Sequence, residues 1–143
     1  MGYNPQLVTD TRAKIASYLQ QRNWPFEEDE SGAYRLYQGS TYVSLTVKQW
    51  GENTLICIRS PLSIDVTNMS SELAQMLLEK NYDLILGKFS YNRNNRTIYY
   101  ENALMGSDLD PSELYSAVEA AAVVADKYDD QIAKYSGGRR AID

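Results

Sequence analysis

The chain has 143 residues, 43% hydrophobic and 23% charged, with a formal net charge of −5, a composition that fits one globular domain large enough to bury a core. Its acidity argues against general binding to a phosphate backbone, which relies on clustered Lys and Arg. It contains no histidine and one cysteine, Cys57, which excludes Ser-His and Cys-His nucleophiles, histidine bases, histidine zinc sites, cysteine-rich metal centres and an internal disulfide.

No apolar run approaches the roughly 20 residues of a membrane span. No basic segment with an apolar core follows Met1, so no secretory signal is expected, and the single thiol suits a reducing cytoplasm. The expected organisation is a single domain over residues 1–143, with an ordered core from about 8 to 135 and a flexible tail from 136 to 143.

Residues 1–8, including Asn4-Pro5, read as a partly ordered lead-in. Thr9 or Asp10 is expected to cap a first helix that runs to about Asn23, with Ala13, Ile15, Ala16, Tyr18 and Leu19 on its apolar side. Trp24-Pro25 ends it, because the residue before proline is pushed out of helical space. The acidic run Glu27–Glu30 reads as a solvated edge strand or loop.

Three strands are expected next: Tyr34–Tyr37, Thr41–Gln49 and Thr54–Arg59. Val43, Leu45 and Val47 alternate with Tyr42, Ser44 and Thr46 in the second of them, the period-two signature of a strand. In the third, Cys57 shares a face with Leu55 and Arg59, opposite Ile56 and Ile58, and is expected to be a buried structural thiol. Ser60-Pro61 opens a crossing loop to Asn68. A second helix, capped by Asn68 or Ser70, covers Ser71 to about Lys80 with Leu73, Met76, Leu77 and Leu78. A strand over Leu84–Tyr91, bent at Gly87, pairs through the polar turn Asn92–Arg96 with Thr97–Asn102.

The last helix is the best marked. Asp110-Pro111-Ser112-Glu113 combines an Asp cap, Pro at the first helical position and Glu three residues after the cap. From there Leu114, Val118, Ala121, Ala125, Tyr128 and Ile132 form one apolar stripe. At 1.5 Å per residue the helix to Tyr135 would be roughly 39 Å long, so other elements must lie along it. Glu119, Asp126 and Lys127 are expected to stay wet on its outer side. The resulting order, α-β-β-β-α-β-β-α with hairpin-length connections, predicts an α+β domain with a largely antiparallel sheet packed with three helices.

That order in a small acidic chain resembles the type III secretion chaperone-like fold, and within it the YbjN-like bacterial family. The residues that carry the likeness are the Leu-rich helix ending in Lys80-Asn81, Leu86-Gly87-Lys88-Phe89, Thr97-Ile98-Tyr99-Tyr100, and Val124-Ala125-Asp126-Lys127-Tyr128 in the long helix. The resemblance implies a binding protein, often dimeric and without catalysis. Secretion chaperones of this fold are homodimers that hold an extended client segment across hydrophobic patches.

Several strands are apolar on both faces, so either helices cover both sides of the sheet or part of one face is buried by another chain. Self-association is expected through the second helix and the Leu84–Tyr91 strand, and the partner or dimer surface is assigned to Leu73, Met76, Leu77, Leu84, Leu86, Phe89 and Tyr99. The 12 tyrosines are the compositional oddity. Tyr34, Tyr37 and Tyr42 fall on the first hairpin and Tyr91, Tyr99 and Tyr100 on the second, where they suit either a partly buried sheet face or a peptide site.

Lys88, Arg93 and Arg96 with those tyrosines make a small basic-aromatic hairpin, too small in an acidic chain to mark nucleic-acid binding. The acidic groups Glu27–Glu30, Asp108/Asp110 and Asp126/Asp129/Asp130 lack the ligand pattern of a calcium loop and read as solvated faces. No catalytic, metal or cofactor residue is assigned. The expected function is a non-enzymatic, cytoplasmic, chaperone-like protein that acts as a homodimer and binds a protein or peptide client. The alternative is a small-ligand-binding or regulatory module of the same fold.

Overall fold

The computed structural model describes residues 2–142; residues 1 and 143, the two ends of the expected domain, lie outside the described residues. The element order is α1 (Pro5–Gln21), β1 (Glu27–Glu28), β2 (Tyr34–Gln38), β3 (Thr41–Trp50), β4 (Asn53–Ser63), α2 (Ser71–Asp83), β5 (Lys88–Asn92), β6 (Thr97–Met105) and α3 (Pro111–Ser136). The strands form one six-stranded antiparallel sheet in the order β1-β2-β3-β4-β6-β5. The α+β architecture expected from the sequence is therefore present, with Glu27–Glu28 added as a two-residue edge strand.

Register divides the residues between two faces. Ser44 pairs with Arg59 and Arg59 with Glu101, and since cross-strand partners share a face, the even positions of β3 and the odd positions of β4 and β6 point the same way. The opposite face carries Leu36, Val43, Leu45, Ile56, Ile58, Ile98 and Tyr100, all buried. All three helices pack there: Ile15 and Leu19 from α1, Leu73 and Leu77 from α2, and Leu114, Ala117, Val118, Ala121, Ala125 and Ile132 from α3 join the same core. The apolar stripe of α3 thus lies on the sheet. The two-sided apolarity of the strands does not reflect helices on both sides.

Helix ends follow their capping chemistry, with one departure from expectation. In α1 the cap is Asn4, whose side chain accepts from the Gln6 N–H at 3.0 Å, and Pro5 takes the first helical position. Thr9 and Asp10 lie inside the helix instead. The Asn-Pro pair offers an oxygen acceptor and a preset φ one turn earlier, so the lead-in is helical. Ser70 caps α2 by accepting from Leu73 N–H, and Asp110 caps α3 by accepting from Glu113 N–H at 2.9 Å. Gly137 closes α3 in the left-handed region at φ 68°, where a side chain would be strained. Of residues 136–143, expected to be a flexible tail, Ser136 ends α3 and accepts from Thr67 and Asn68 N–H, and Arg139 exchanges backbone hydrogen bonds with Ile64.

Three further corrections concern strands. β4 does not stop at Arg59 but continues through Pro61 to Ser63, and the register with β6 shifts between Pro61 and Ser63. A bulge is where a strand tolerates a residue without an N–H. β6 likewise runs on to Met105. Conversely, Leu84–Leu86 is not strand: α2 extends to Asp83, Leu84 is its C-terminal cap, and β5 starts only at Lys88 after Gly87.

Gly87 has φ 78°, and a Cβ there would fall on the ring and hydroxyl of Tyr100. That hydroxyl donates to Leu86 C=O at 2.9 Å, so the bend and the buried tyrosine fix one another.

Asp129 is buried rather than solvated (2% exposed), and Ser136 is fully buried with it at the C-terminal end of the helix. The Ser40 hydroxyl in the β2–β3 turn donates to the Asp129 carboxyl and lies 2.9 Å from Asp126. Asp126 is accordingly tied to the turn as well. Asp129 sits four residues after Ala125 and three before Ile132, inside the apolar stripe, a position that already argues for burial.

Two stability measurements test this arrangement. Gly87→Ala should lose at least about 1–2 kcal/mol for the left-handed backbone alone, with the loss of the Tyr100 contact added, read as a lower urea midpoint at unchanged m-value. Ser40→Ala should cost about 1–3 kcal/mol, because it leaves one oxygen of a buried carboxyl without its donor, the other still accepting from Asp130 N–H. A change within error for Ser40→Ala would show that the turn-to-helix clamp carries no weight.

Candidate functional site

Because the helices share one face, the other face of the sheet has no cover among the described residues. Its residues come from the alternate positions of the strands: Glu27 of β1; Arg35 and Tyr37 of β2; Tyr42, Ser44, Thr46 and Lys48 of β3; Leu55, Cys57 and Arg59 of β4; Tyr99, Glu101, Ala103 and Met105 of β6; and Lys88 and Ser90 of β5. Tyr37 and Met105 are exposed, and Tyr42, Leu55, Cys57 and Tyr99 are partly so. Cys57 therefore sits half-exposed on the open face instead of in the core.

Aromatic and charged side chains interleave across this surface. Tyr37 and Tyr42 make an edge-to-face pair with ring centroids 6.2 Å apart, and the Arg35 guanidinium lies 4.1 Å from the Tyr42 ring centroid. Burial holds the Tyr42 hydroxyl above the usual tyrosine range, against the opposing pull of Arg35. Asp29 anchors Arg35 at 3.4 Å.

In the same cross-strand row as Arg35, Arg59 Nε donates to Glu101 at 2.8 Å and Lys88 Nζ reaches the same carboxylate at 3.3 Å. Burial raises the Glu101 pKa, but the hydrogen bond and charge of Arg59, followed by those of Lys88, outweigh it and hold the carboxylate below its ordinary range.

Two hollows flank that row. A hollow of about 350 Å³ is lined by Cys57, Arg59, Gly87, Lys88, Glu101 and Ala103. It forms where β5 begins at Lys88 while β6 continues to Met105 without a neighbour on that side. The second, about 490 Å³, shares Arg59 and Glu101 and extends over Tyr99 to Arg93 in the β5–β6 turn. Both are open to solvent, and their walls combine apolar and aromatic groups with amide and charged ones. This shape accommodates an extended chain better than an enclosed small molecule. Among the described residues no group of carboxylates and thiol is placed to hold a metal ion, and no helix is long and apolar enough to cross a membrane.

The residues assigned from sequence to a partner surface are dispersed. Leu73, Leu77 and Phe89 lie in the core of the single chain, where the Phe89 ring packs edge-on to Tyr100 and Tyr128. Met76 and Leu84 pack against that core with part of their surface exposed. Leu86 is exposed, and Tyr99 lies on the open sheet face, where its hydroxyl accepts from Asn95 Nδ2. Sequence reasoning did not single out Leu55, Arg59 and Met105 as site residues. The alternation within β4, which sets Leu55, Cys57 and Arg59 on one side, is the signal that leads to them.

A second apolar surface stands apart from the sheet. Leu78 and Tyr82 are four residues apart on α2, and Ile85 and Leu86 follow in the connector to β5; all four are exposed, Ile85 at 96%.

Comparison with known proteins places this geometry. No curated protein matches the sequence. Among solved structures, the chain is similar to the crystal structure of YbjN from E. coli, described as a candidate transcription regulator, with a TM-score of 0.55 at 12% identity over 86% of this chain and 89% of that one. At that identity the likeness speaks for the fold alone. The model of a family described as the T3SS (YopN, CesT) and YbjN peptide-binding chaperone 1, TY-Chap1, matches residues 6–143. The chain therefore belongs to the TY-Chap1 family of chaperone-like peptide-binding proteins.

Proposed function

We propose that this protein is a non-enzymatic chaperone-like module that works as a homodimer and holds an extended segment of a client on the open face of its sheet. The observation that carries the reading is the uncovered face itself. An antiparallel sheet exposed on one side normally alternates apolar-in with polar-out, yet here the outer side presents Tyr37, Tyr42, Leu55, Tyr99 and Met105. Tyrosines of this kind offer area and a polar tip at small entropic cost, as at other binding surfaces. The family's peptide-binding description supports the same assignment.

The homodimer is assigned to the stripe of Leu78, Tyr82, Ile85 and Leu86. Large contiguous apolar patches are uncommon on monomeric soluble proteins and mark interfaces. Of the residues named from sequence, Leu86, with the part-exposed Met76 and Leu84, can join this contact without opening the fold. The buried Leu73, Leu77 and Phe89 support the stripe from beneath.

Two measurements test the proposal. A fluorescently labelled, permanently unfolded protein such as reduced carboxymethylated α-lactalbumin should bind, and Leu55→Asp with Tyr99→Ala should weaken binding by about tenfold or more, equivalent to about 1.4 kcal/mol. Wild-type affinity in that folded double variant would remove the open face as the site. In sedimentation velocity at tens of micromolar the wild type should run as a dimer and Ile85→Asp as a monomer. A monomeric wild type would overturn the dimer assignment.

A further inference from the structure

The open face differs in charge from the rest of the molecule. In a chain of net charge −5, the strand positions on this face hold four cations, Arg35, Lys48, Arg59 and Lys88, against two carboxylates, Glu27 and Glu101. Elsewhere acids meet many of the cations: Arg12 with Glu28, Arg22 with Glu119, Arg96 and Arg139 with Asp65, and Lys134 with Asp130. On the open face Asp29 meets Arg35, but toward β5 the balance is different. Arg59 and Lys88 share the single carboxylate of Glu101, and neither Lys48 nor Arg93 forms an ion pair among the described residues. Arg59 uses Nε for Glu101, and its side chain remains half-exposed.

Geometry concentrates this excess. Arg59, Glu101 and Lys88 stand in one row across β4, β6 and β5, so the two cations rise from backbones about 9.6 Å apart, twice the strand spacing. Arg93 closes the same hollow from the turn, beside Tyr99. A guanidinium presents paired donors that suit a carboxylate, whereas an ammonium contributes a mobile point charge. The two hollows therefore combine three cationic heads with an aromatic floor, and their linings carry no acid beyond Glu101.

We propose that the client segment this face accepts is acidic: an extended peptide whose Asp or Glu side chains meet Arg59, Lys88 and Arg93 while its apolar residues lie on Tyr42, Leu55 and Tyr99. This rests on the reading of the open face as a peptide site and adds the chemical class of the peptide. Complementary charge would favour encounter and select among partners, and its effect would fade with salt. A basic segment would meet like charge here and bind instead along the acidic remainder of the molecule.

The test is fluorescence anisotropy with two short labelled peptides, one alternating Glu with Leu and Tyr, the other identical but with Gln for every Glu. The acidic peptide should bind at least about tenfold tighter than its neutral twin, and the advantage should shrink as salt is raised. Arg93→Glu, on an exposed turn away from the core, should weaken the acidic peptide about tenfold and leave the twin unchanged; Arg59→Gln should act in the same direction.

Equal affinity for the two peptides, or full acidic affinity in Arg93→Glu, would overturn the charge inference while the peptide site stood. Binding of the unfolded protein probe with neither peptide bound would overturn it likewise. If no probe bound at all, the peptide-site reading would fall with it.

Discussion

The rest of the structure depends on the way α3 covers the sheet. At 26 residues the helix is about 39 Å long, enough to cross β3, β4 and β6, and its stripe from Leu114 to Ile132 consists of small residues, Ala117, Ala121 and Ala125, between larger ones. Small side chains let the helix lie close on the strands. The same closeness leaves the other two helices only the flanks, α1 over β3 and β4 and α2 beside β5. Three helices on one face leave none for the other, and the surface assigned here to a client follows from that one-sidedness.

Several polar contacts hold this layer arrangement at its edges, each at a point where burial would otherwise leave a group unpaired. The Ser40 hydroxyl meets Asp129 below the β2–β3 turn, Thr11 of α1 meets Thr54 at the start of β4 at 2.7 Å, and Ser63 meets Ser136 at the end of α3 at 2.7 Å. Each joins a helix to a strand or turn far away in sequence; the two hydroxyl pairs are buried and the Ser40 contact is partly so, where an unmade hydrogen bond costs more than a made one gains. They fix the tilt of the helices on the sheet without adding apolar area. The bend at Gly87 does the same for α2, because Tyr100 can enter the core only while the Leu86 carbonyl turns to accept its hydroxyl.

Elements set by local periodicity were legible from the sequence. The cap, the proline and the 3-4 spacing of α3 determine it within a residue, and the alternation of Val43, Leu45 and Val47 determines β3. Features decided by distant partners were not. Leu84-Ile85-Leu86 has the apolar run of a strand, but α2 extends through Asp83 and the left-handed Gly87 delays β5. Pro61 reads as a strand terminator until a bulge against β6 absorbs it. Asn4-Pro5 reads as a loop, although it carries the same capping chemistry as Asp110-Pro111. The site was only half-visible for a related reason: strands apolar on both sides give one pattern whether both faces are buried within the chain or one is left for a partner. The register decides, and it places Leu55, Cys57 and Arg59 outside.

An exposed sheet face with apolar and aromatic groups carries a standing risk of self-association, and the charge on this face bears on that risk as well as on partner choice. The Arg59–Glu101–Lys88 row runs across three central and edge strands, so two copies brought face to face would set like charges and desolvated ion pairs against one another. Burying such groups costs several kcal/mol per ion unless geometry repays it. The stripe on α2 and its connector, Leu78, Tyr82, Ile85 and Leu86, contains no charged side chain among these four and meets no such penalty. In the proposed dimer two copies of the chain would therefore pair through α2, leaving the sheet face of each free. The proposed division of labour, with a neutral apolar stripe for self-contact and a cationic aromatic face for a client, would follow from where the charges sit, since the strand cations of the open face outnumber its acids in a chain that is acidic as a whole.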